Sequence, residues 1–186
     1  MKFTTKNLVT LALLSAMAYA VTFVFNILNI ALIPGYNFPI LDVKDVIIII
    51  GGFIYGPMAT LMMSLAVSFI EWFTISKTGH WGFIMNMIAT CSFVIPAVLI
   101  YRYKKKNVWA VAGLGVGIAV MVPVMLFANY IITPLYMPVP REAVAELLIP
   151  LFLPFNLAKG GINAVLAIVL YNPVKMIFNK SQLNQI

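Results

Sequence analysis

The sequence predicts an all-α integral membrane protein of six transmembrane helices with both termini cytoplasmic. Three observations carry that expectation. The chain of 186 residues is 63% hydrophobic and 9% charged, where an ordinary soluble domain carries roughly 25% charged residues. Mean hydropathy is +1.03. The few charges also fall between apolar runs and in a lopsided pattern. A single transmembrane domain over residues 1–186 follows, with helices near 8–30, 43–56, 57–75, 82–101, 108–132 and 154–176.

The first run opens as a secretory leader would, with Lys2 and Lys6 ahead of apolar residues. The apolar pattern continues to Ile33, however, which is long enough to span, so the segment is read as the first transmembrane helix. Within it Ala12, Ala16 and Ala20 repeat every four residues beside Ser15. Small residues at that spacing let another helix approach closely, although alanine is common in such helices for plainer reasons.

The second run, "VKDVIIIIGGFIYG", is short and ends at Gly56-Pro57, a turn signal. Length alone allows a re-entrant segment; charge placement favours a crossing. With six crossings, Lys2, Lys6, Arg102, Lys104, Lys105, Lys106, Lys175 and Lys180 share one side, against Lys77 and Arg141 on the other. That asymmetry obeys the positive-inside rule. The net charge of +7 is therefore a topology signal, and nucleic-acid binding is not expected. Asp42 and Asp45, flanking Lys44, read as acidic residues favouring a helix N-terminus.

The remaining helices are long and apolar, joined on the outer side by 31–42, 76–81 and 133–147. The first and third of these segments are rich in Pro and aromatics and suit closure over a ligand, or simply an interfacial aromatic belt. No internal repeat is evident, which argues against an inverted-repeat transporter.

Polar groups inside the apolar helices are the functional signal. Asn156, Lys159 and Asn163 in "LPFNLAKGGINAVLAIVL" share one helical stripe. Pro154 suits a first helical turn, which places Lys159 one turn below the outer loop. Asn129, Asn86 and Glu71 lie at similar depth on three other helices, with Trp72 and Trp81 close in sequence. Ionisable groups in a membrane usually face a cavity or a partner, and amides offer donors and an acceptor together. The combination suits a small-molecule pocket with aromatic walls. Two plainer readings stand beside it: asparagines that only hold helices together, and Lys159 paired with Glu71. His80 reads as a solvated loop residue.

Other classes find little support. Phosphate-loop, H-E-x-x-H and G-x-S-x-G motifs are absent from the sequence, so no enzyme is expected. Cys91 is the single cysteine, no metal-ligand spacing surrounds it, and no cofactor is expected.

The blocks "LLSAMAYAV", "LDVKDV" followed by "FIYGPMAT", "ANYIITPLY" and "LPFNLAKG" resemble the substrate-binding S components of energy-coupling factor (ECF) vitamin transporters, and among them the riboflavin-specific kind. The resemblance implies a six-helix fold in the cell membrane that binds riboflavin from outside as its transported ligand. It implies docking through Ala12, Ala16 and Ala20 to a coupling transmembrane subunit that carries two ATPase subunits. It places Asn129, Asn156 and Lys159 on the polar side of the flavin site, with Asn86 added on a looser match. Glu71 departs from the pattern, because such proteins tend to carry a neutral amide there. Two alternatives remain at this point: another vitamin or flavin, with Lys159 and Lys77 tolerating the phosphate of flavin mononucleotide, and a stand-alone proton-coupled transporter.

Overall fold

A computed structural model describes residues 4–30, 32 and 39–183. Most of loop 31–42 lies outside the described residues, so the expectation that it closes over a ligand does too. The elements run α1 (Thr5–Leu28), α2 (Lys44–Tyr55), α3 (Pro57–Thr74), α4 (His80–Lys104), α5 (Asn107–Tyr136), α6 (Arg141–Leu147), a π-turn (Leu148–Phe152) and α7 (Leu153–Leu183). Five helical stretches are long and apolar enough to cross a membrane: α1, α3, α4, α5 and the path from Arg141 to Tyr171.

The sixth, α2, is different. Its 12 residues rise about 18 Å at 1.5 Å each, short of a hydrocarbon core of about 30 Å. It is also buried nearly all round, packed against α1, α3, α4 and α7. A helix enclosed by protein needs no lipid-facing length, so α2 is the central post of the bundle. Gly56 ends it at φ 99°, a backbone conformation that favours glycine, and Pro57 starts α3 at once.

Lipid tails are as apolar as leucine, so close packing rather than hydrophobic burial holds such helices together. The tightest contact is α4 against α5. Gly113 and Gly117, one turn apart, lie against the backbone of Ala97 and Phe93, where a Cβ would clash with main-chain oxygen. A second packed cluster joins Phe53, Tyr101 and Tyr171. Their rings lie within 4.4–5.6 Å of one another, and the hydroxyls of Tyr101 and Tyr171 are hydrogen-bonded together.

Three sequence expectations fail at the other end of the bundle. The segment 133–147 is not one long loop: α5 continues to Tyr136, and a new helix begins at Arg141. Nor does Pro154 begin a helix. The backbone stays helical from Arg141 through the π-turn into α7, because Leu153 N–H donates to Leu148 O, five residues back. Pro150 and Pro154 lack donors, and the wider π register accommodates their missing bonds where an α-helix would break. His80 likewise opens α4 rather than lying in a loop.

Candidate functional site

The ends of α2, α3, α4, α5 and α7 opposite the tyrosine cluster converge on one cavity of about 220 Å³, bordered also by Thr22 and Asn26 of α1. The local folding explains why. Helix α2 begins there and α3 ends there, so Lys44 and Glu71 meet. The π-turn advances the start of α7, so Phe152, Phe155, Asn156 and Lys159 all line the cavity wall.

Asn86, Asn129, Asn156 and Lys159 all line this cavity. The amide of Asn129 donates to Met125 O at 2.7 Å and accepts from the Thr133 hydroxyl at 3.1 Å. Asn156 donates to Phe152 O at 2.7 Å. Each head group is thus held by its own helix while a second N–H remains. Asn86 donates to Glu71 Oε2 at 2.7 Å. Asn163, on the same stripe, does not line the cavity. It accepts from Val46 N–H at 3.2 Å and donates to Asp42 O at 3.2 Å, tying the start of α2 to α7.

The charges are paired otherwise than the sequence suggests. Lys159 does not meet Glu71; its ammonium donates to Asp42 Oδ2 at 2.8 Å. Glu71 instead accepts from Lys44 through both oxygens, at 2.8 and 2.6 Å. Lys44 is 1% exposed and Glu71 3%. Asp45 is wholly buried behind them and accepts from the Thr90 hydroxyl at 2.7 Å. Asp42, Lys44 and Asp45, around what reads as a simple acidic helix start, therefore make three separate ties from the head of α2 to α7, α3 and α4. Burial alone raises the Asp42 carboxyl, but the ammonium of Lys159 and then that of Lys44 outweigh it. Asp42 is thereby held below the usual carboxylate value.

Asp42 and Lys44 are the charged cavity residues that the sequence reading missed. Their alternation with Asp45 around the start of a short, buried helix was the available signal. The aromatic walls also differ from expectation. Tyr136, Phe152 and Phe155 line the cavity with Met85 and Met125, whereas Trp72 and Trp81 do not. Trp72 packs on Phe73 and Phe83, and Trp81 on His80. Among the described residues no group of His, Cys, Asp and Glu is arranged to hold a metal ion.

At the opposite end, Ala12, Ala16 and Ala20 are exposed on one face of α1, while Ser15 and Ala18 turn inward. The alanine face is thus open to a neighbour; it runs from Ala12, well away from the cavity, up to Ala20, two residues before the cavity-lining Thr22.

Residues 6–171 match the family described as the substrate-specific component of ECF transporters. Riboflavin transporter RibU of Staphylococcus aureus (strain TCH60) is 29% identical over 172 residues, covering 89% of this chain and 88% of its own length. Riboflavin transporter FmnP of Bacillus subtilis (strain 168) is 26% identical over 180 residues, covering 91% and 92%. A solved structure, described as the S component of a bacterial ECF transporter, superimposes with a TM-score of 0.77. It is 28% identical and covers 93% of this chain and 97% of its own.

Proposed function

This chain belongs to the substrate-specific components of ECF transporters, and from that premise we propose that it binds riboflavin in the cavity between α2, α3, α4, α5 and α7. The observation that carries the reading is the composition of that cavity. Held amides of Asn129 and Asn156 and the ammonium of Lys159 line one cavity, with Tyr136, Phe152, Phe155 and two methionines around them. Riboflavin is a flat tricyclic ring with an imide-and-carbonyl edge and a hydroxylated chain. Amides with one spare N–H each suit the polar edge and hydroxyls, and the rings and thioethers suit the tricyclic faces. The full-length likeness to two riboflavin transporters supports the same ligand.

Binding involves no covalent step, and the chain is a carrier rather than an enzyme. Lacking a phosphate loop, it would draw energy from a coupling transmembrane subunit with two ATPase subunits. The exposed alanine face of α1 is the natural docking surface for that subunit, since small residues allow close helix approach. The basic excess supports a topology with both termini in the cytoplasm, the protein in the plasma membrane and the cavity facing outward.

Titration of the purified, detergent-solubilised chain against riboflavin, followed by flavin fluorescence, tests the ligand. Quenching that saturates at one flavin per chain is expected. Absence of quenching, with binding instead to a different member of a vitamin panel, would replace riboflavin.

A further inference from the structure

The cavity carries more charge than a flavin site requires, and the charge is cancelled in pairs. We propose that the Lys44–Glu71 ion pair is a charge-selectivity determinant, keeping the cavity electrically neutral so that it accepts uncharged flavin and rejects the phosphorylated form. The proposal rests on the riboflavin reading above and assigns a role to a pair that this reading leaves unused.

The balance can be read group by group. Lys159 is engaged by Asp42 at 2.8 Å. Lys44 is engaged by both oxygens of Glu71, and Glu71 also accepts from Asn86. Lys77 is exposed at the cavity rim, where water screens it. Asp45 lies buried behind as the third carboxylate against three ammonium groups. Tolerance of a phosphate by Lys159 would require an unbalanced positive charge there, and the Asp42 carboxylate at 2.8 Å already balances it.

A flavin phosphate carries about −1.5 to −2 charge near neutral pH. To enter, it must shed water, and shedding water from an ion is costly unless an opposite charge compensates. Charges separated by several ångströms still act on one another strongly in a low-dielectric interior. The discrimination therefore depends on net charge and not on one contact geometry. Glu71 is the decisive member. Neutralising it leaves Lys44, 1% exposed, as an uncompensated cation at the cavity wall. A merely structural ion pair would behave differently, because its loss would weaken neutral and phosphorylated ligands alike.

The test compares riboflavin with riboflavin 5′-phosphate by fluorescence titration of the solubilised full chain, its Glu71→Gln variant and the Lys44→Met/Glu71→Gln double variant. The parent is expected to favour riboflavin by at least about tenfold, since each tenfold step is the size of a modest electrostatic difference. Glu71→Gln should move the ratio of the two affinities about tenfold towards the phosphate, and the double variant should restore the parental ratio. A Glu71→Gln ratio equal to the parent's would overturn the proposal. So would a double variant that behaves like Glu71→Gln, because the freed Lys44 charge would then not be the cause. Equal affinity of the parent for both flavins overturns it without any variant, even if Glu71→Gln fails to fold. A parent that binds neither flavin sinks the riboflavin reading and this proposal with it.

Discussion

The two ends of the bundle use opposite means to hold the same helices. From the end near Tyr101 and Tyr171 to Gly117 in the middle of the bundle, contact is close. Glycines bring α5 onto the backbone of α4, and rings fill the gap between α2, α4 and α7. At the cavity end, helices stand apart and are tied by long polar side chains, Asp42 to Lys159 and Lys44 to Glu71. Packing of the first kind leaves no room for a ligand. Ties of the second kind hold the walls at a distance, and what remains between them is a site. A membrane protein of this size thus separates close packing from binding along its own length.

The strongest expected break in that comparison is Lys159→Ala. Removing one partner of a buried pair strands the other, at roughly 3–5 kcal/mol. Here it also removes a wall of the cavity, so riboflavin affinity should fall more than a hundredfold. An affinity within threefold of the parent, in the same fluorescence titration, would move the site away from α7. Next in size is the thermal stability of Lys44→Met, which strands the buried Glu71 carboxylate. It should lie well below that of the parent, while Lys44→Met/Glu71→Gln recovers much of the loss. The cycle formed by the two single variants and the double measures the coupling, and additive losses would deny the tie. The smallest effect on binding is expected from Ala16→Leu, on the exposed face of α1. Riboflavin affinity and melting temperature should stay near parental values. Uptake by membranes containing the coupling subunit and its ATPases should fall, and unchanged uptake would place the docking face elsewhere.

The bundle was legible in the sequence because apolar length and basic asymmetry are properties of whole segments, which single residues cannot disguise. The depth of the polar residues was legible too. Asn86, Asn129, Asn156 and Lys159 lie at matching ends of their helices, and they do line one cavity. The partners of the charges were not. Whether Lys159 meets Glu71 or Asp42 depends on how α2 sits between α3 and α7, and no periodicity within one helix encodes that. The π-turn escaped notice for a related reason. Pro150 and Pro154 are strong signals to end a helix, and only a change of hydrogen-bond register lets them sit inside one. Gly113 and Gly117 form a G-x-x-x-G spacing that was open to reading, and they mark the α4–α5 contact.

The division between the two ends is tested most directly by one paired measurement, the riboflavin affinity and ligand-free melting temperature of Asn129→Ala and Gly117→Ala. Asn129 should matter to the ligand: its loss is expected to weaken binding at least tenfold and leave melting within a few degrees of the parent. Gly117→Ala should do the reverse, because a methyl forced against the Phe93 carbonyl costs about 1–3 kcal/mol of packing while the cavity remains formed. A Gly117→Ala variant that melts normally but loses riboflavin, or an Asn129→Ala variant that binds normally but melts early, would contradict the separation of packing from binding.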